Sequence, residues 1–194
     1  MSGILNLQKN DILDLTKRDP SLDRIELGAG WDVAKKGFFG FGQKDFDLDL
    51  IAILLDSSNK LISKDSLIYY SNMRQKGIIL HGDNRTGAGD GDDETISVSL
   101  NNLDANCHKV VFAVTIYDGI GRKQNFDQVK NAYIRLLDED KGKNEICRFN
   151  LSSSAGEKTT LVFAELYREG SNWQFKAVGE LLDTDIKGLT QKFI

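Results

Sequence analysis

The chain has 194 residues, 40% of them hydrophobic and 28% charged, which is ordinary for a folded globular protein able to bury a real core. No run approaches the ~18 consecutive apolar residues of a membrane-spanning helix, and Met1-Ser2-Gly3-Ile4-Leu5-Asn6 lacks the basic start and long apolar stretch of a secretion signal, so a cytoplasmic protein without a transmembrane segment is expected. The net charge of -4 is concentrated in two short acidic stretches and the remainder of the chain is net positive, which excludes a diffusely acidic surface, while no basic patch of the kind that marks nucleic-acid binding is visible.

In chain order, short β-branched runs with period-two alternation, bounded by Gly, Asn, Asp and Ser, predict strands. They fall at Ile12–Leu15, Asp23–Leu27, Phe46–Leu55, Ser66–Tyr70, Gly77–Leu80 and Thr95–Leu100. Lys109–Tyr117 follows, then a helical turn over Phe126–Asn131 and strands at Ala132–Leu137, Glu145–Leu151, Thr159–Tyr167 and Trp173–Val178. Glu169-Gly170-Ser171-Asn172 suits a hairpin connection, and Asp185–Ile194 reads as a short amphipathic helix weakened by Gly188. Helical patterns long enough for an α/β fold are missing between the strands. The expectation is an all-β, two-sheet, mostly antiparallel sandwich forming one domain over 1–194, with its core at about 12–180 and a short C-terminal tail. Ile51-Ala52-Ile53-Leu54-Leu55 and Val110-Val111-Phe112-Ala113-Val114 are apolar on both faces, so both strands should be inner ones covered on each side. Cys107 and Cys147 lie in apolar, strand-like stretches and read as reduced core thiols, although the sequence alone leaves a disulfide open.

The first acidic stretch is Lys44-Asp45-Phe46-Asp47-Leu48-Asp49-Leu50. Side chains alternate along a strand, so Asp45, Asp47 and Asp49 share one face, ~7 Å apart, and Phe46, Leu48 and Leu50 share the other. Aspartate is depleted in strands. Three on one side of a half-buried strand repel unless a cation or basic groups compensate them. The second stretch, Gly82-Asp83-Asn84-Arg85-Thr86-Gly87-Ala88-Gly89-Asp90-Gly91-Asp92-Asp93-Glu94, mixes side-chain oxygens with glycines. Glycine lets the backbone curl tightly enough to bring several oxygens around one small ion. The spacing is not that of an EF-hand, and His81 is the only soft donor nearby, which disfavours zinc. Many protein oxygens favour calcium over magnesium. The candidate ligands are Asp45, Asp47, Asp49, Asp83, Asn84, Asp90, Asp92, Asp93 and Glu94, with Asp32 a weaker candidate. Their carboxylates outnumber what one Ca²⁺ ordinarily uses, so two ions are expected. Arg85 either clamps a carboxylate or lies exposed.

Gly28-Ala29-Gly30-Trp31-Asp32, Asp45-Phe46-Asp47-Leu48-Asp49 and Gly82-Asp83-Asn84-Arg85-Thr86-Gly87 followed by Gly89-Asp90-Gly91-Asp92-Asp93-Glu94 together resemble the TerD family. Val114-Thr115-Ile116-Tyr117-Asp118, Asn125-Phe126-Asp127-Gln128-Val129, Tyr133-Ile134-Arg135-Leu136, Ala164-Glu165-Leu166-Tyr167-Arg168 and Trp173-Gln174-Phe175-Lys176-Ala177-Val178-Gly179 are similar to it as well, so the resemblance runs from about Ile12 to Glu180. It implies a calcium-binding β-sandwich of the bacterial cytoplasm, tied to tellurite resistance and stress responses. It also implies multi-protein assemblies with other stress or resistance proteins, some at the inner membrane face, and no settled catalytic reaction. Two departures are the aromatic Val33–Lys44 segment, with Phe38-Phe39-Gly40-Phe41, and Ala29 where a larger apolar residue is common. That segment either offers an apolar contact to a partner or lipid surface or folds back on the sandwich.

Non-catalytic, calcium-dependent binding is therefore the leading reading, and the protein is not expected to be an enzyme. Two alternatives are a hydrolase using Asp47 and Asp49, or Asp92 and Glu94, as acid and base, and a calcium-bearing carbohydrate-binding sandwich using Trp31 or the Phe38–Phe41 segment.

Overall fold

The computed structural model describes residues 3–33, 47–82, 91–150 and 157–194. Its elements are β1 (Leu5–Asn6), β2 (Ile12–Asp14), α1 (Leu15–Arg18), β3 (Arg24–Val33), β4 (Leu48–Leu55), β5 (Leu67–Ile68), β6 (Arg74–Gln75) and β7 (Ile78–His81). They continue with β8 (Glu94–Ser99), β9 (Lys109–Ile116), α2 (Gly119–Arg122), β10 (Val129–Asp138), β11 (Asn144–Asn150), β12 (Thr160–Glu169), β13 (Asn172–Leu182) and α3 (Ile186–Gln191). A seven-stranded sheet runs β1-β11-β10-β3-β8-β7-β6, and a six-stranded sheet runs β2-β13-β12-β9-β4-β5. All pairings are antiparallel except β1 on β11, so the expected two-sheet architecture is what the chain adopts.

The main core lies between the sheets. Strand β8 alternates Glu94, Ile96 and Val98 inward with half-exposed Thr95, Ser97 and Ser99 outward, and β7 points Ile78 and Leu80 inward. Phe112, Phe126, Phe163 and Phe175 fill the interior, and Trp31 is buried with them. The outer face of the seven-stranded sheet is polar, as one-sided alternation requires.

Strands β4 and β9 explain their two-sided apolar sequence through a third layer. Leu48, Leu50, Ala52 and Leu54 enter the inter-sheet core, while Ile51, Ile53 and Leu55 join Val111, Ala113, Val162 and Leu189 in a second cluster. Helix α3 and its flanks cover that cluster with Leu182, Ile186 and Phe193. The helix starts at Asp185, whose carboxylate accepts from Gly188 N at 2.7 Å. Gly188 lies within this helix, and a Cβ there would lie 2.0 Å from Thr184 Oγ1.

The strand expectations hold in place and differ at boundaries. β3 continues past the expected Leu27 to Val33, through Gly28-Ala29-Gly30, where the glycines leave room for the side chains of Asp92, just ahead of β8, and Tyr133 of β10. The expected strand at Ser66–Tyr70 shrinks to Leu67–Ile68, and β1 and β6 are two-residue strands too short to announce themselves by alternation. The hairpin at Gly170-Ser171 is as expected, with Gly170 at φ +61. Cys107 and Cys147 are both buried free thiols, which closes the disulfide alternative.

Candidate metal centre

One end of the sandwich holds the described residues of the two acidic stretches. There β4 begins, β3 and β9 end and β8 starts: Leu48 pairs with Ile116, and Ala29 with Glu94. Asp47 stands just before β4, half-buried, and its carbonyl accepts a hydrogen bond from Tyr117 N at 2.8 Å. Asp49 lies within β4 opposite Thr115 and is only 5% exposed, so the strand is not a solvent-facing acidic edge. Leu48 and Leu50 point into the inter-sheet core. Alternation therefore puts Asp49 on the opposite face, the one that Ile51 and Ile53 continue. Beside it the rings of Tyr69, Tyr70 and Tyr117 meet edge to face, and the Arg122 guanidinium lies 4.8 Å over Tyr117. Burial, then the charge of Asp49, the neighbouring tyrosines and Asp47 push the Tyr70 hydroxyl above its ordinary pKa.

Asp92, Asp93 and Glu94 are consecutive but diverge. Asp92 turns to the outer face of the seven-stranded sheet, where Arg135 Nε lies 2.9 and 3.0 Å from its two oxygens and the Tyr133 hydroxyl 3.0 Å from Oδ1. Asp93 donates from its backbone N to Ala29 O at 2.8 Å and accepts from Trp31 N at 2.9 Å through Oδ2. Burial raises its pKa; the hydrogen bond from Trp31 opposes that, and the charges of Asp32 and Asp92 add to it. Glu94 points inward, 3% exposed, and its Oε2 accepts from Leu50 N at 2.6 Å. That bond ties the end of the second acidic stretch to the strand that carries the first.

The structure therefore brings Glu94 to the backbone of β4 at Leu50, keeps Asp47, Asp49 and Asp93 at the same end, and sends Asp92 to another face. Asp45, Asp83, Asn84 and Asp90 lie outside the described residues, as do Arg85 and the Phe38–Phe41 segment. Among the described residues no three acids, histidines or cysteines are grouped to hold a metal ion. Asp32 is exposed and its Oδ2 accepts from Asn131 Nδ2 at 2.7 Å.

The chemistry of the donor set fits a hard cation. The described candidates are all carboxylates. His81 is hydrogen-bonded to Ser97 Oγ at 2.9 Å, and burial holds the thiols of Cys107 and Cys147 up at about 11 and about 12, so neither is a thiolate at neutral pH.

Sequence reasoning assigned no role to Gly28, Gly30, Tyr133 or Arg135. The signal was present in part: alternation puts Tyr133 and Arg135 on one face, and Gly28 and Gly30 on one face. Their meeting depends on the register Tyr133↔Gly30 and Arg135↔Gly28, which strand pairing alone sets.

Among the described residues no helix is long and apolar enough to cross a membrane. The TerD domain profile matches residues 4–193. General stress protein 16U of Bacillus subtilis (strain 168) is 40% identical over 177 residues, covering 90% of this chain and 89% of that protein. Tellurium resistance protein TerD of Serratia marcescens is 40% identical over 178 residues, covering 91% of this chain and 90% of that one. The crystal structure of a homologue of telluride resistance protein (TerD), SCO6318 from Streptomyces coelicolor A3(2), has a TM-score of 0.68 at 20% identity over 88% of this chain and 96% of that chain, a likeness of fold. With nearly its whole length matched by the family profile and by these relatives, the chain belongs to the TerD domain family.

Proposed function

We propose that this protein is a non-catalytic calcium-binding module of the tellurite-resistance and stress-response type, acting in the bacterial cytoplasm. Calcium would fix its two acidic stretches together and present the ordered end of the sandwich to other stress or resistance proteins. The observation that carries this reading is the hydrogen bond from Leu50 N to the buried carboxylate of Glu94, which draws the two acidic stretches to one place. Asp49 and Glu94 are both buried, and burial raises the pKa of Asp93, so the carboxylates at this end are already drawn out of water, as ligands of a hard cation need to be. Asp45, Asp47, Asp49, Asp83, Asn84, Asp90, Asp93 and Glu94 are the proposed ligands, for two Ca²⁺ ions. When bound, the ions supply positive charge among these oxygens; the protein's own contribution is to aim and desolvate them.

Binding to the folded state alone adds about 2.7 kcal/mol at a hundredfold excess over Kd. At roughly 2–4 °C per kcal/mol for a chain of this size, the melting temperature should rise by about 5–10 °C for each ion bound. Differential scanning calorimetry in calcium and in EGTA measures it, and Asp47→Asn with Asp90→Asn should abolish the rise. Superimposable melting curves in calcium and chelator would sink the proposal.

Calcium-dependent carbohydrate binding is the second reading. Trp31 is 5% exposed and cannot stack on a sugar, but the rings of Tyr70 and Tyr117, each 42% exposed, flank Asp47 and Asp49. Calcium-dependent retention on immobilised mono- and disaccharides tests it, and loss of retention in Tyr117→Ala would favour it.

A further inference from the structure

Five side chains on the outer face of the seven-stranded sheet close a ring around the end of the second acidic stretch. Arg135 Nε grips both oxygens of Asp92, at 2.9 and 3.0 Å, and its Nη1 reaches Glu145 Oε2 at 3.3 Å. Arg148 donates to Glu145 from Nε at 2.9 Å and from Nη2 at 3.1 Å. The Arg148 guanidinium lies 4.3 Å over the Tyr133 ring, whose hydroxyl returns to the start, 3.0 Å from Asp92 Oδ1 and 2.9 Å from Gly91 O. The ring is partly shielded: the side chain of Asp92 is 8% exposed and those of Arg135 and Glu145 are 26% and 12%.

The floor beneath it is cut to fit. A Cβ on Gly28 would stand 2.1 Å from Asp92 Oδ2, and one on Gly30 would stand 2.5 Å from Tyr133 Cζ. Two glycines in the middle of a strand weaken it, so their presence here answers a need for close approach. The Arg135 Nε–H is shared between the two oxygens of Asp92 and the Tyr133 hydroxyl faces Oδ1, so a cation at this carboxylate would meet the positive charge of Arg135 at the same oxygens.

We infer that Asp92 is an anchor and not a metal ligand, and that Arg135 and Tyr133 are positioning residues that fix Gly91 and Asp92 to the sheet, so that Asp93 and Glu94 are already aimed in the metal-free protein. This rests on the calcium reading for its consequence, since pre-aimed oxygens bind an ion more tightly than ones that must first be ordered. The anchor itself does not depend on that reading.

Two measurements separate them. In EGTA, residue-level hydrogen exchange should show the amides of Asp93 and Trp31 opening at least ~10-fold faster in Arg135→Gln and Tyr133→Phe. The amides of Leu166 and Phe175, in the opposite sheet, should be unchanged. Equal protection of Asp93 and Trp31 in wild type and both variants overturns the anchor. In calcium titration by calorimetry, Arg135→Gln should bind about 10-fold more weakly with unaltered stoichiometry, Arg135→Lys should recover part of that loss, and Asp92→Asn should keep the wild-type number of ions. Loss of an ion in Asp92→Asn would make it a ligand and overturn the assignment. A wild-type protein that takes up no calcium would overturn the proposed function while the exchange result still decides the anchor.

Discussion

At the scale of single residues, three consecutive acids meet three different fates because Asp92 and Asp93 lie ahead of β8, where strand alternation does not yet hold, and Glu94 is the first residue of the strand, where pairing with β3 begins. Asp93 is the informative one. Its native pKa is raised by burial above the ordinary 3.8. A raised carboxylate pKa means the native state favours the protonated form, so the contribution of Asp93 to folding is most favourable below pH ~3.8 and is lost as pH climbs through the native pKa. In EGTA at pH 7, Asp93→Asn keeps an oxygen acceptor for Trp31 N and removes the charge, so its melting temperature should equal or exceed that of wild type. The difference should shrink as pH falls below about 4. The same substitution should reduce the calcium-induced rise. A thermal scan at several pH values reads both; a lower melting temperature in EGTA would contradict the sign. The types of these residues and their clustering were legible in the sequence. Their divergence was not, because the side each takes follows from the pairing of Ala29 with Glu94 and from the glycine-lined space under Asp92, both products of non-local register.

Among the elements, α3 shows how a weak sequence signal becomes firm once its partner is known. The apolar runs of β4 and β9 announced a covered outer face, and the tail announced an amphipathic helix; the structure joins the two. Leu189 is 1% exposed within that second cluster, so Leu189→Ala should cost about 2–5 kcal/mol by removing buried methyl groups and leaving a cavity. Chemical denaturation with an unchanged m-value would register it. At another margin, carboxylates pin connections. Asp140 accepts from Arg24 N at 2.9 Å, Arg24 Nε at 2.7 Å and Asp23 N at 3.1 Å, and those bonds hold it at about 2. Asp19 is held at about 2 by Lys141 first and then Ser21. Depressed carboxylates stabilise the fold above their unfolded pKa, and that contribution disappears as pH falls from about 4 towards 2. The melting temperature should drop across that window, and less steeply in the double variant Asp19→Asn with Asp140→Asn. Asp140 is exposed and Asp19 half-buried at the surface, so solvent screening keeps each effect small.

For the molecule as a whole, composition and alternation were enough to reach the sandwich and its antiparallel character, since each strand writes its own inside and outside. The meeting of the acidic stretches is a different kind of information. Nothing local to Asp47 or Asp49 specifies Glu94 as a neighbour; closure of two sheets on one core brings β8 against β4, and only then does the amide of Leu50 find the Glu94 carboxylate. Closure thus gathers Asp47, Asp49, Asp93 and Glu94 at one end of the sandwich.

Among the described residues the four outermost strands are very short: β1, β5 and β6 have two residues each and β2 has three. Just beyond them, loop backbone takes over the pairing, as in Leu7 N to Arg148 O at 2.8 Å and Asn10 N to Ala177 O at 2.7 Å. A visiting polypeptide that tried to lengthen either sheet would gain a hold of only a few rungs before meeting occupied amides. Stacking into fibrils through these margins is thereby discouraged, and whatever company the protein keeps must be recognised through the chemistry of its surface groups.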